Sequence, residues 1–295
     1  MNISEILDKY LNYLQETKNM SSKTIKAYYY DLKLFFKYII KRFLRCENID
    51  FDNIDISEID VALLKRIQLA DIYAYLNFIS KERNNNEYAN NRKISSLNSF
   101  FNFTVHIIRV LDNNPVIGLQ TSKIYKKEPK SINLDTVSKL LKQINGRHKL
   151  RDKAIIILFI NCGLRLSELT NIKLIDIDSD YSTLKIINKT KERILQLNQV
   201  CRDILLEYIT SERPDCENEF LFLSQRKTKI SNRTVQNLLK CHVDNANLNE
   251  GISPNTLRHT AAKLQYDNIE VDVKTLQKFL GHSSLASTEI YINEN

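Results

Sequence analysis

Glycine and proline are scarce, at five and four residues in 295, which excludes collagen-like repeats. Long apolar runs are missing too. No stretch approaches the roughly 18 to 20 apolar residues needed to cross a bilayer, and the opening MNISEILDKYLNYL lacks the basic, apolar, small-residue order of a signal peptide. A cytoplasmic location is expected. Cysteine is odd in number: Cys46, Cys162, Cys201, Cys216 and Cys241 are scattered with no CxxC pair, so reduced thiols are expected rather than a disulfide framework. HExxH, EF-hand, paired Cys/His and Walker spacings are all absent. Neither a metal nor a cofactor is expected, and any chemistry falls to side chains alone.

What is present describes a globular chain long enough for two domains. Charged residues make up 26% and the hydrophobic set 43%, which argues against disorder. Lysine and arginine number 43 against 35 aspartates and glutamates, a formal net charge of +8. With a pI near 9.1 this favours a polyanionic partner. The excess is densest in residues 118–131, GLQTSKIYKKEPKS, with four lysines against one glutamate.

Apolar residues at 3, 6, 7, 10, 11 and 14 trace one helical face, and Ile25, Tyr28, Tyr29, Leu32, Phe35, Phe36, Ile39 and Phe43 trace a second, with Ser21 or Ser22 as its cap. Amphipathic stretches at Ile72–Ile79 and Ile94–Leu111 follow. The first 112 residues therefore read as a four-helix bundle, and the first domain is expected over 1–117. Asn113-Asn114-Pro115 breaks the periodicity, and 118–131 has no apolar face, which reads as a linker. The second domain is expected over 132–295. It opens with a helix around Val137–Ile144 and an apolar one over Asp152–Cys162 stopped by Gly163. Strand-like runs Leu184–Ile187 and Ile194–Leu197 flank a charged tip, Asn188–Arg193, as a β-hairpin. Helical periods resume at Val200–Ile209, Val235–Val243, Thr256–Tyr266 and Val273–Leu280. The expected fold is mainly α in two domains, the second mixed α/β and mostly helical with a small antiparallel sheet.

Four segments stand out: Gly163-Leu164-Arg165-Leu166-Ser167-Glu168-Leu169, the hairpin tip with Lys189, Ser253-Pro254-Asn255-Thr256-Leu257-Arg258-His259-Thr260, and Leu280-Gly281-His282 followed nine residues later by Tyr291. In this order and spacing they resemble the tyrosine recombinase, or phage integrase, family, and most closely its compact Xer type. The likeness covers nearly the whole chain. In the first half, the Ser22–Tyr28 segment, Asp31-Leu32, Arg92–Leu97 and Asn114-Pro115 are similar to the family's SAM-like core-binding domain. The second half is similar to its catalytic domain. The resemblance implies a site-specific recombinase that cleaves and rejoins DNA through a 3′-phosphotyrosine, in chromosome dimer resolution or mobile-element integration and excision. The partner it implies is double-stranded DNA, bound in a tetrameric synapse assembled from dimers, with a second recombinase or an accessory protein as a further possibility.

The chemistry of that set is intelligible residue by residue. Cleaving a phosphodiester without a metal requires cations on the non-bridging oxygens, and the planar, permanently charged guanidinium fork suits Arg165 and Arg258 to that role. Tyr291 is the implied nucleophile; a phenolate leaves more readily than an alkoxide, so the covalent intermediate keeps the bond energy for religation and no ATP is needed. Lys189 is the implied general acid for the departing 5′ oxygen, with Lys191 as its competitor. His282 would add a hydrogen bond to the phosphate, and Glu168 would orient Arg165.

Taken singly, each residue has an ordinary structural reading: a surface ion pair for Arg165 and Glu168, a turn lysine for Lys189, a loop histidine for His282. Only the ordered combination points to catalysis. Two features depart from the family. Asn255 stands where the family has His or Lys, and an amide cannot accept and release a proton near neutral pH. Only Ile292–Asn295 follow Tyr291, where relatives continue into a helix that docks on a neighbouring subunit, so either the chain is truncated or its protomers couple differently. Asn255 also admits a DNA-binding regulator of the same fold with weakened catalysis, and the shared chemistry admits a DNA-relaxing enzyme of the type IB topoisomerase kind.

Overall fold

The structure, a computed structural model, describes residues 2–44, 50–57, 59–83, 85–119, 130–188, 191–248, 251–269, 271–282 and 284–288. They fall into two compact units, Met1–Lys126 and Lys127–Asn295. Of the expected linker, residues 120–129 lie outside the described residues. No described helix is long and apolar enough to cross a membrane.

The first unit is helical. Helix α1 (Ile3–Glu16) starts at Asn2, whose side chain accepts the Glu5 N–H at 3.0 Å, and buries Ile3, Ile6, Leu7, Tyr10 and Leu14. Helix α2 (Ser22–Leu44) is capped by Ser21, which accepts the Thr24 N–H, and buries Leu32, Phe35, Phe36, Ile39 and Ile40. Helices α4 (Leu69–Lys81) and α5 (Glu87–Asn102) close the bundle. Aromatic rings join them: Phe35 meets Tyr75 edge-on at 5.1 Å, and Phe100 meets both Phe36 and Tyr10 at 5.4 Å. Each such ring removed from water is worth roughly 1.5 to 3 kcal/mol, enough to fix which faces turn inward. Buried Asp31 on α2 pairs with Lys93 and Arg92 on α5, so the one carboxylate in this contact is answered by two cations.

The four long helices follow the apolar periods. Helix α3 (Val61–Arg66), capped by Asp60, is additional; at six residues it spans too few turns for a period to register. The stretch expected to be helical to Leu111 continues from α5 as a π-helical segment, Phe103–Ile107, and ends there.

The second unit is built around α7 (Lys149–Cys162), which is buried on nearly every side. Helices α9 (Gln199–Ser211) and α11 (Pro254–Ile269) pack against it, which is why its sequence carries no polar face. Its first turn is capped from α9's end: the Glu212 carboxylate accepts the N–H groups of Leu150 and Arg151 at 2.8 and 3.0 Å. Asp152 on α7 receives Arg151 and His242, the latter from α10 (Asn232–Asn245) at 2.9 Å, fixing the two helices together. Helix α6 (Leu134–Lys142) adds Val137 and Leu140 to the same core.

Strands β1 (Thr183–Asn188) and β2 (Lys191–Gln196) form the two-stranded antiparallel sheet. Leu184 lies opposite Leu195, Ile186 opposite Arg193, and Asn188 opposite Lys191. The ladder therefore runs further than the apolar runs suggest: of the expected tip, Asn188–Arg193, the residues Asn188, Lys191, Glu192 and Arg193 are paired in the sheet, and residues 189–190 lie outside the described residues. Polar Asn188 and Arg193 stay in the sheet because a buried carboxylate from another element accepts both. None of the four described cysteines, Cys162, Cys201, Cys216 and Cys241, is in a disulfide.

Candidate active site

Two glycines place the site. Helix α7 ends at Gly163 with φ +55, and α12 (Val273–Leu280) ends at Gly281 with φ +63, both in the left-handed region that reverses a helix end. Neither tolerates a side chain. A Cβ at Gly163 would lie 2.9 Å from the Phe279 ring, and one at Gly281 would lie 2.5 Å from Nη1 of Arg193. The two chain reversals thus bring the α7 end, the α12 end and the hairpin into contact.

Arg165 follows Gly163 and precedes α8 (Leu166–Leu169), a single turn. Its backbone N–H and its Nη1 both donate to Glu168, each at 2.9 Å, and Nη2 donates to the Gly281 carbonyl at 2.8 Å. Arg258 comes from α11, whose start is set by Ser253 as cap and Pro254 at the first helical position. Its Nη1 donates to the Gly163 carbonyl and Nη2 to the Leu280 carbonyl at 2.6 Å. The two guanidinium groups therefore stand on consecutive carbonyls of one turn. Arg258 is 6% exposed at its side chain and Arg165 35%, so one is locked into the core and the other faces solvent.

Glu168 is the hub. Its side chain is 2% exposed, and it receives Asn188 Nδ2 at 2.9 Å and both terminal nitrogens of Arg193 at 2.9 and 2.8 Å, besides the two donors of Arg165. Burial pushes its pKa up. The hydrogen bonds from the Arg193 side chain and the Arg165 backbone, with the Arg193 charge, outweigh that and hold it down at about 2. The carboxylate is therefore ionised at neutral pH and fixes its arginines rather than exchanging protons.

His282 follows Gly281 and its Nδ1 lies 2.9 Å from Thr288 Oγ1. Burial lowers its pKa to about 4, and the charges of Arg258, Arg165 and Arg193 act in the same direction. The imidazole is neutral at pH 7. A cleft of about 390 Å³ opens here, lined by Asn188, Glu192, Arg193, Gln277, Lys278, Gly281 and His282.

Of the residues singled out in the sequence, Arg165, Arg258 and His282 are thus brought together, with Glu168 beneath them. Asn255 is exposed in the first turn of α11, one turn before Arg258. Lys189 and Tyr291 lie outside the described residues, and Lys191 is the first residue of β2. Arg193 and Asn188, expected in a hairpin tip, are further members of this cluster. The available signal was position: Arg193 sits two residues before Leu195 and so shares its inward face. Among the described residues no group of three or more His, Cys, Asp or Glu is placed to hold a metal ion.

Residues 130–295 match the phage integrase family, and residues 7–106 match the phage integrase N-terminal SAM-like domain. The chain is 44% identical to the tyrosine recombinase XerC of Caldanaerobacter subterraneus subsp. tengcongensis, over 97% of this chain and 82% of the relative. It is 30% identical to the tyrosine recombinase XerD of Listeria innocua, over 98% and 94%. Among solved structures it is similar in fold to a lambda integrase dimer bound to a COC′ core site, with a TM-score of 0.74, 18% identity, and coverage of 100% of this chain and 96% of that one. The XerH recombinase bound to difH substrate in a pre-cleavage complex gives 0.71 and 21%, over 98% and 80%. The chain belongs to the phage integrase family of tyrosine recombinases. It is an enzyme of that family's site-specific recombinase type, and its relatives carry Xer names. Neither the regulator nor the relaxing-enzyme reading is favoured by these likenesses.

Proposed function

We propose that the chain binds duplex DNA in the cytoplasm and exchanges strands through a covalent 3′-phosphotyrosine, with Arg165, Lys189, Asn255, Arg258, His282 and Tyr291 as the site. The observation that supports this most is the pair of guanidinium groups, Arg165 and Arg258, standing on the Gly281 and Leu280 carbonyls beside a neutral His282. In the reaction the Tyr291 oxygen attacks phosphorus, the bond to the 5′ oxygen breaks, and Lys189 gives that oxygen its proton. Arg165 and Arg258 hold the non-bridging oxygens as negative charge builds on them, and His282 donates a hydrogen bond. Asn255 contributes an amide and no proton transfer, so the phenol proton passes to solvent. Religation reverses these steps with a 5′ hydroxyl from the partner strand.

The domain division that goes with this reading is 1–117, 118–131 and 132–295, with the basic segment 118–131 running along the phosphate backbone. Phosphate contacts then supply most of the affinity, and binding weakens steeply with salt. A relative in fold, lambda integrase, is known as a tetramer bound to a Holliday junction. A tetrameric synapse built from dimers is the corresponding assembly here, in chromosome dimer resolution or in movement of a mobile element.

The test is Tyr291→Phe on a nicked suicide duplex carrying a site selected for binding from genomic DNA. The expected result is normal binding with no covalent adduct. An adduct in the variant would assign the attack to another tyrosine and overturn the site.

A further inference from the structure

The family chemistry leaves Arg193 without a task, yet both of its terminal nitrogens are engaged by one buried carboxylate. It leaves β2 toward the core and grips both oxygens of Glu168, at 2.9 and 2.8 Å. Asn188, from the other strand, donates to the same carboxylate at 2.9 Å. Asn188 is the last residue of β1, and Ile186 opposite Arg193 is two residues before it. Glu168 therefore holds the hairpin on both strands, at the last residue of β1 and within three residues of the start of β2. The same Glu168 holds Arg165 through its backbone N–H and through its guanidinium.

Register makes this grip all-or-none. A slip of one residue in β2 would turn Arg193 outward and Ile194 inward. The opposite wall lies close, and it is glycine that leaves the guanidinium its room: a Cβ at Gly281 would stand 2.5 Å from Arg193 Nη1. Arg193 is thus wedged between the α12 end and Glu168, with a side chain only 13% exposed. A charge so enclosed, with both terminal nitrogens already committed to Glu168, is poorly placed to take a DNA phosphate and well placed to lock two elements together.

We propose that Arg193 is a positioning residue for strand cleavage: by clasping Glu168 it fixes the β1–β2 hairpin against the turn that presents Arg165, so that the general acid and the arginine clamp are brought to one phosphate in register. This rests on the reading of Lys189 as the general acid. Arg193 itself touches neither the DNA nor the reacting atoms. Its removal leaves the hairpin held to Glu168 by Asn188 alone, while Arg165 keeps Glu168 and the Gly281 carbonyl, so proton delivery to the leaving oxygen suffers first.

The experiment is single-turnover cleavage of a nicked duplex, bearing a site selected for binding from genomic DNA, made once with an ordinary phosphodiester and once with a 5′-bridging phosphorothiolate. The thiolate leaves without a proton. Wild type, Arg193→Gln, Arg193→Lys, Lys189→Ala and, as a control on the hairpin's outer edge, Lys185→Ala are compared, with binding and thermal unfolding measured for each. Arg193→Gln is expected to bind DNA normally and to cleave the ordinary bond about 100-fold more slowly, the scale of a roughly 1 Å misplacement. Arg193→Lys, which keeps one contact to Glu168, should be intermediate, and Lys185→Ala should match wild type. On the phosphorothiolate, Arg193→Gln and Lys189→Ala should both return to within a few-fold of wild type. Equal slowing of Arg193→Gln on both bonds, while Lys189→Ala is rescued, would overturn the role given to Arg193 and leave the general acid in place. If Lys189→Ala is not rescued, the general-acid assignment falls and the proposal with it. Should Arg193→Gln fail to fold, the same comparison is read from Arg193→Lys.

Discussion

Arg165 and Arg258 are held by neighbouring carbonyls of a single turn, the first by Gly281 at 2.8 Å and the second by Leu280 at 2.6 Å. The end of α12 therefore acts as a shared rest for both guanidinium groups. The two differ in what else they hold. Arg165 is hydrogen-bonded to Glu168, whereas Arg258 lies 3.9 Å from that carboxylate and donates to the Gly163 carbonyl at the end of α7.

That difference separates the two alanine variants. Arg165→Ala and Arg258→Ala should each slow cleavage by about two to three orders of magnitude, as for a lost transition-state donor worth roughly 3 to 4 kcal/mol. Only Arg258→Ala should also lower stability markedly, because it strands two buried carbonyls at about 1 to 3 kcal/mol each. Denaturant titration alongside single-turnover cleavage checks this. Equal stability of the two variants would mean that the Gly163 and Leu280 carbonyls find other donors.

Glycine at the α12 end is required twice over. Gly281→Ala meets the left-handed φ, costing roughly 1 to 2 kcal/mol, and also the contact with Arg193. Gly146 has φ +87 but open space around it, so Gly146→Ala should lose stability alone. Gly281→Ala should lose both stability and cleavage. Near-normal cleavage by Gly281→Ala would show that the arginines tolerate a shifted turn.

The acid–base behaviour of His282 follows from its surroundings. With its pKa held at about 4 by burial and by three arginines, the imidazole stays neutral through the physiological range. In the sign of linkage, a histidine harder to protonate when folded takes stability away as pH falls from about 6.5 toward 4, and the loss is complete below that. An NMR titration of the DNA-free protein should find the midpoint near 4, and Arg165→Ala should raise it by removing one of the repelling charges. A wild-type midpoint between 6 and 7 would mean that His282 carries charge at the site.

Asn255 is exposed in the first turn of α11, so replacing it costs little stability. Asn255→His should accelerate adduct formation and introduce a pH dependence near 6 to 7, the range where imidazole titrates. Single-turnover cleavage by the two proteins between about pH 5.5 and 9 is the measurement. An unchanged or slower rate with an unaltered profile would show that this position does not limit the reaction.

The long helices of the first unit were legible in the sequence, because burial of one face repeats at the helical period. Ile3, Ile6, Leu7, Tyr10 and Leu14 are inward on α1 as spaced, and Gly163 and Gly281 end α7 and α12 where an L side chain would be strained. It also carried the arginines, since Arg165 and Arg258 lie in segments whose order and spacing are distinctive. Lys189 and Tyr291 are assigned from the same order and spacing and fall outside the described residues. Tertiary structure alone decided the rest. Arg193 reads as one charge in a polar tip until the register sets Ile186 opposite it and turns it toward Glu168. Glu168 reads as half of a local ion pair until the two strands of the hairpin converge on it from positions 20 and 25 residues away. Which face of a strand is buried depends on what lies beneath it, and a carboxylate's partners depend on which elements meet there. Neither is a property of local spacing, and for this reason the clasp on the hairpin appears only in the folded chain.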